Sequence, residues 1–254
     1  MKYHPQKRIL QNNQIVFIDG ITRTGKLLLG SLVSQLDRME HLEFGENFEF
    51  LLPAIRLKKI NIDFANAYLN NYLNQLIYNK FIGRNVNFRP GDRTGISNSR
   101  NPKIYYKRLK FEEGDKVISS IKKKKILLPL VTHEIAVNLD LLAKMKMDFK
   151  IIEIIRNPVD IVFSWYRRGL GKRFGKDQRL FTLLIKEKET VDPWFGALHY
   201  NKKNNLNECE MCIHHVLNLN YFSNKNLHKY RNKKNLFITS YEKLTTEPKS
   251  ELNK

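Results

Sequence analysis

The sequence predicts a single α/β domain, with a mainly parallel sheet flanked by helices and a P-loop-type phosphate-binding turn. Three observations predict it. First, Ile15-Val16-Phe17-Ile18-Asp19 is an apolar, β-branched run suited to a buried strand. Second, a glycine-bounded turn, Gly20 to Lys26, separates it from a helical pattern in which Leu27, Leu28, Leu29, Leu32, Val33 and Leu36 share one broad face. Third, further strand-like runs alternate with helical ones, the signature of parallel strands covered on both sides.

Taken in order, Phe44 to Leu57, with Pro53 inside it, reads as a loop and short helix. Ile62 to Phe81 carries an aromatic and aliphatic stripe (Phe64, Tyr68, Tyr72, Leu73, Leu76, Ile77) and reads as a core-facing helix. Gly83 to Asn101 is loop-like and holds Arg84, Arg89, Arg93 and Arg100. The lysines from Lys122 to Lys125 read as a solvated turn before a strand over Ile126 to Val131, although Pro129 removes a ladder donor there. Thr132-His133-Glu134 follows, then a helix over Ile135 to Met147 and a strand over Lys150 to Ile155. Arg156-Asn157-Pro158 ends that strand, with Pro158 placed to start a helix over Val159 to Arg168. Phe174 to Lys188 and Cys209 to Leu219 read as helices, and Leu236 to Thr239 as the last strand, before Ser240-Tyr241-Glu242.

No internal repeat or long linker divides the chain, so residues 1–254 read as one domain. The formal net charge of +20 implies attraction to anions. Two cysteines suggest no disulfide framework. There is no apolar run of the ~18 residues a membrane span needs. Met1 to Arg8 lacks the apolar segment of a secretion signal, so a soluble, cytoplasmic protein or a soluble part of a longer one is expected.

Gly20-x-x-x-x-Gly25-Lys26 fits the nucleotide-binding P-loop spacing up to its last position, which should be Ser or Thr to hold Mg²⁺ and is Leu27. Phosphate binding fits this turn, with Arg23 and Lys26 as cations; Mg-ATP hydrolysis fits poorly. Arg156 at a strand end and Ser164 on the next helix suit a second phosphate grip. Two separate grips suggest a ligand with phosphates in two places. His133, also at a strand end, is a candidate general base. The turn, His133, Arg156 and Tyr241 all fall where parallel sheets bind ligands. Cys209-x-x-Cys212 with His214 and His215 is half a zinc pattern without a second pair, and no metal is expected. Trp194 reads as core, with the acceptor cleft as its other candidate place.

At these residues the chain resembles the sulfotransferases. Ile21-Thr22-Arg23-Thr24-Gly25-Lys26-Leu27 is similar to their 5′-phosphosulfate loop. Arg156-Asn157-Pro158-x-Asp160-x-x-x-Ser164-x-Tyr166 matches their 3′-phosphate motif at full spacing. Thr132-His133 is similar to their Lys-Thr-His element, and Tyr241-Glu242-x-Leu244-x-x-x-Pro248 to the Tyr-Glu-Asp-Leu element that closes the nucleotide site.

The resemblance implies transfer of a sulfuryl group from 3′-phosphoadenosine 5′-phosphosulfate (PAPS) to a hydroxyl acceptor. Adenosine 3′,5′-bisphosphate (PAP) would be the product, with no metal required. It places Arg23 on the bridging and sulfuryl oxygens, and Thr24, Gly25, Lys26 and Leu27 around the 5′-phosphate. Arg156 and Ser164 would hold the 3′-phosphate, with Tyr241 near the adenine. His133 would take the acceptor proton, with Glu46 or Glu49 as the alternative base found in carbohydrate-type members.

Lys26 stands where the family has threonine, and Val131 where it has lysine. The glycine- and lysine-rich loop near the C-terminus of many members is missing, so the expectation is a variant or an incomplete C-terminus. The arginines of Gly83 to Arg100 suggest an acidic saccharide as acceptor. Two other classes compete. A P-loop nucleotide kinase or NTPase is disfavoured by Leu27. A basic nucleic-acid-binding module is disfavoured by the lack of a recognition motif, and no nucleic-acid partner is expected.

Overall fold

The computed structural model describes residues 15–112, 114–147, 149–187, 189–198 and 206–253. Gln14 and the segment Met1 to Arg8 lie outside them.

In chain order the described elements are β1 (Ile15–Asp19), α1 (Lys26–Val33), β2 (Glu43–Phe44), α2 (Glu46–Arg56), α3 (Ile62–Phe81), α4 (Pro102–Arg108), α5 (Asp115–Lys124), β3 (Leu128–Val131), α6 (Leu139–Met145), β4 (Lys150–Ile155), α7 (Pro158–Tyr166), α8 (Leu170–Arg173), β5 (Leu184–Glu187), β6 (Thr190–Pro193), α9 (Glu208–Tyr230), β7 (Leu236–Ser240), α10 (Tyr241–Thr246) and α11 (Pro248–Leu252). Five strands form one parallel sheet in the order β2-β3-β1-β4-β7. Every strand therefore ends on the same edge. The loops after β1, β3, β4 and β7 meet there, as ligand sites in parallel sheets require.

Alternation within β1 explains the two layers. Ile15 and Phe17 join Leu128, Leu130 and Ile151 under α2, α3, α5 and α6. Val16 and Ile18 turn the other way, onto Leu29, Val33 and Leu244. A strand with both faces buried reads as an unbroken apolar run, which is why β1 was legible. A third cluster around Trp165, Trp194, Phe195 and Val216 lies beyond the sheet and carries α7, α8 and α9.

Pro129 sits within β3. Leu127 N–H donates to Arg38 O and Gly45 N–H to Val131 O, so the missing Pro129 donor faces the β2 side between them.

Four readings need correction. The helix expected over Phe174 to Lys188 does not form over its described residues. Gly175 takes a φ of 78°, Asp177 is drawn to Arg173 and Arg179, and Leu184–Glu187 pairs antiparallel with Thr190–Pro193. Alternation and β-branching favour that hairpin. The loop and short helix over Phe44 to Leu57 is instead one α-helix of 11 residues, α2, with Pro53 in its interior. The solvated turn at Lys122 to Lys125 is the C-terminal turn of α5, where three lysines face the negative end of the helix dipole. The helix read at Cys209 to Leu219 extends to Tyr230 and begins with a capping box between Asn207 and Glu210.

Candidate active site

The phosphate turn is built by its two neighbours. Gly20 tolerates no side chain: a Cβ there would lie 2.5 Å from Ile154 O on the adjacent strand. Thr24 Oγ1 donates to Ile21 O (2.8 Å), closing the turn on itself. From α7, Trp165 Nε1 donates to Thr22 O (2.8 Å), and Ser164 Oγ accepts from Arg23 Nε (3.0 Å). From the end of β4, Arg156 donates to Arg23 O (3.0 Å). The Tyr241 ring closes the other side, with the Arg156 guanidinium 4.5 Å from its centroid. A Cβ on Gly25 would lie 2.5 Å from that ring, and its φ of 99° favours glycine as well. Glu242 accepts the Asn157 N–H (3.0 Å), tying β7 to the Arg156-Asn157-Pro158 turn. Arg23, Thr24, Gly25, Arg156, Ser164 and Tyr241 thus meet in one place.

Cations predominate there, with Glu242 as the acid beside Arg156. Arg23 sits below its ordinary value because of burial, and because Arg168 and Arg156 repel it. Arg168 was not singled out in the sequence; it lies just beyond the α7 motif. Among the described residues Arg156 Nε, shielded from solvent, has no acceptor. At the start of α1, Lys26 and Leu27 present backbone N–H groups with no intrahelical partner. Converging guanidiniums, an unmatched donor and a helix N-terminus suit a phosphorylated anion.

Lys26 points elsewhere. Its Nζ donates to Gly20 O (2.9 Å) beneath the turn and is buried. Burial lowers its pKa to about 8 against the pull of Asp19, Glu49, Glu134 and Glu153. In this arrangement Lys26 can serve an anion through its backbone N–H, while its ammonium balances acids under the sheet edge. Those acids organise the site. Asp19 accepts from Thr132 Oγ1 (2.9 Å) and Ala136 N–H (2.8 Å), which joins the ends of β1 and β3 around His133. Glu153, opposite Asp19 in register, has its carboxyl pushed well above the usual range by burial and by Asp19.

His133 and Glu49, considered above as rival bases, are partners. Glu49 Oε1 accepts from His133 N–H (2.7 Å) and lies 2.5 Å from His133 Nδ1. Among the described residues His133 Nε2 has no protein partner. Glu46, one turn earlier on α2, is exposed. All three line a cavity of about 370 Å³ beside the phosphate turn. Its remaining wall is mostly apolar: Leu27, Phe44, Leu170, Phe174, Phe181 and Trp194, with Arg179 at the rim. Trp194 therefore fills both places considered for it, since it is also buried in the core. Glu134, missed in the sequence, lines this cavity too. Trp194 Nε1 donates to its Oε2 (3.2 Å), and burial, reinforced by Glu49, pushes it up to about 8.

The arginines of Gly83 to Arg100 are not part of this site. Arg100 pairs with Asp37 (2.5 Å), Arg89 with Asp92 (3.7 Å), and Arg93 O contacts His41 Nε2 (3.0 Å). Asp37 and His41 follow the C-terminus of α1, so this loop packs at the opposite, amino-terminal edge of the sheet. Among the described residues no group of three or more His, Cys, Asp or Glu side chains could hold a metal, and no helix is long and apolar enough to cross a membrane.

A parallel sheet with a glycine-bounded turn after its first strand, joined to Arg156 at the end of β4, defines a P-loop-like α/β fold. The comparisons give the family: the sulfotransferase domain model matches residues 13–254, so the chain belongs to that family and is a sulfotransferase. No curated protein matches. Among solved structures, the sulfotransferase domain from the curacin biosynthetic pathway aligns with a TM-score of 0.50 at 14% identity, over 96% of this chain and 72% of that one. The sulfotransferase domain of the Synechococcus PCC 7002 olefin synthase aligns with a TM-score of 0.46 at 14% identity, over 98% of this chain and 74% of that one.

Proposed function

We propose that the enzyme transfers a sulfuryl group from PAPS to a hydroxyl acceptor in the cavity of His133. The observation that carries this reading is the convergence of Arg23, Arg156 and Arg168 around the start of α1, with Arg156 Nε unmatched. The backbone N–H groups at Gly25, Lys26 and Leu27 receive the 5′-phosphate. Arg156 and Ser164 receive the 3′-phosphate, and Tyr241 covers the adenine. Glu49 fixes His133 through Nδ1, leaving Nε2 to take the acceptor proton. The acceptor oxygen bonds to sulfur as the bond from sulfur to the 5′-phosphate oxygen breaks. Arg23 neutralises the charge that grows on that oxygen. The apolar wall favours an acceptor hydroxyl on an apolar body over an acidic saccharide read by Arg89 and Arg93.

Calorimetric titration with adenosine 3′,5′-bisphosphate in EDTA tests the donor site. Saturable binding at one site is expected, and absence of binding overturns the reading. A requirement for Mg²⁺ would instead favour a nucleotide kinase.

A further inference from the structure

We propose that the acceptor is an anionic amphiphile: a hydroxyl on an apolar chain whose other end carries a carboxylate or phosphate. The proposal rests on the sulfotransferase reading and names the substrate class of the same site.

Two adjoining concavities carry it. The cavity of His133 is walled by Phe44, Leu170, Phe174, Leu180, Phe181 and Trp194, which suits a slender apolar body. Its volume of about 370 Å³ is near the lower end of the ~300–1,000 Å³ usual for small-molecule sites. Beside it runs an open groove lined by Lys172, Arg173, Lys176, Asp177, Gln178 and Arg179. Arg179 lines both spaces, so the two adjoin at its side chain.

The groove keeps positive charge after its internal pairing. Arg173 and Arg179 share the single carboxylate of Asp177 (2.7 and 2.9 Å), and Lys172 lies 3.3 Å from Glu208. Lys176 has no acidic partner among the described residues. Four cations thus face two carboxylates. The Arg179 side chain is 83% exposed, so it can turn to a ligand anion without being dug out of the core. A cationic fork at the mouth of an apolar pocket selects a molecule that is itself apolar at one end and anionic at the other. A neutral alcohol would leave the groove unused, and a sugar acid would bring polar hydroxyls against Leu170, Phe174, Leu180 and Phe181, which offer them no partner.

The test compares ω-hydroxydecanoate, ω-hydroxydecyl phosphate, decanol and a uronic-acid disaccharide as acceptors with PAPS. Binding is read in parallel from tryptophan fluorescence, since Trp194 lines the cavity. Both anionic chains should bind and turn over with a KM at least about tenfold below that of decanol, the effect of one charge-assisted hydrogen bond. Arg179→Gln with Lys176→Gln should erase that preference, and rising salt should weaken it. Phe181→Ala should raise KM for every chain. A preference between the two anionic chains would tell whether the groove reads phosphate or carboxylate.

Equal binding of decanol and ω-hydroxydecanoate overturns the proposal, as does preference for the disaccharide. So does absence of turnover with every probe while adenosine 3′,5′-bisphosphate still binds. Failure of the bisphosphate to bind overturns the donor reading alone, because the fluorescence comparison of decanol with ω-hydroxydecanoate needs no donor.

Discussion

Glu49 Oε1 lies 2.5 Å from His133 Nδ1 and also accepts the His133 backbone N–H. One carboxylate oxygen therefore fixes the ring and the backbone of the same residue. The contact crosses from the first turn of α2 to the end of β3, and it depends on Gly45 allowing α2 to start against Thr132, where a Cβ would lie 2.6 Å from Thr132 Cγ2. A histidine held this way through Nδ1 presents Nε2 as the proton acceptor.

The dyad orders the expected losses. His133→Ala should lower kcat by about 10²–10⁴. Glu49→Gln should lower it less, since an amide can still hold the ring but carries no charge to balance an imidazolium. Exposed Glu46→Gln should have the smallest effect. Calorimetric affinity for adenosine 3′,5′-bisphosphate should stay within a few-fold in all three. If Glu46→Gln is the most damaging of the set, the base is misassigned.

Arg156 joins the two grips, since it donates to Arg23 O and stacks on Tyr241. Arg156→Ala should weaken adenosine 3′,5′-bisphosphate by about 1.5–3 kcal/mol, the range for a hydrogen bond to a charged group. Adenosine 5′-phosphate should lose less. Titrating both ligands against both proteins decides the matter; equal losses would show that Arg156 supports the turn rather than reading the 3′-phosphate.

How much of this was legible depends on whether the signal was local. The β1 run, the Gly20 to Lys26 turn and the Arg156-Asn157-Pro158 motif are contiguous, and each folded as read. The pairing of Glu49 with His133 joins residues far apart in the chain, so the sequence offered them only as alternatives. Direction was equally hidden. Lys26 reads as a cation for phosphate, yet the buried acids Asp19 and Glu153 draw its ammonium beneath the turn. The loop of Arg89 and Arg93 has the composition of an anion reader, but α1 runs back along the sheet and carries its contacts to the far edge. Position within a fold, not residue type, decided that case.

Gly25 provides a test of the lid over the nucleotide site. A Cβ there faces two obstacles, the φ of 99° and the Tyr241 ring at 2.5 Å. Gly25→Ala should destabilise the protein by about 1–3 kcal/mol, and should weaken adenosine 3′,5′-bisphosphate by displacing Tyr241 from Arg156. Adding Tyr241→Ala removes the steric part and leaves the backbone part. The double variant should therefore recover some of the stability lost, as a coupling energy in urea unfolding. Strict additivity would show that the ring does not seat on the turn.

Glu134 gives the site a pH signature. Its folded pKa of about 8 lies above the ordinary 4.5, chiefly because of burial, with Glu49 adding repulsion. Between those values the folded protein keeps a proton that the unfolded chain has released. Stability from this group is therefore fully present below pH 4.5 and is lost as pH rises toward 8, by at most about 1.4 kcal/mol per pH unit for one proton. Lys26 acts in the next window. Its folded value of about 8 lies below 10.5, so its share of the stability returns only as pH climbs from 8 toward 10.5. The two together predict a dip near pH 8 in urea-unfolding stability. Glu134→Gln, which cannot ionise, should flatten the descending limb. Because Trp194 Nε1 donates to Glu134 Oε2, tryptophan fluorescence of the native protein should titrate in the same range and cease to do so in the variant. Parallel stability profiles for the two proteins from pH 5 to 8, with unchanged fluorescence titration, would show that Glu134 is ionised throughout and that its carboxyl is not enclosed beside Glu49.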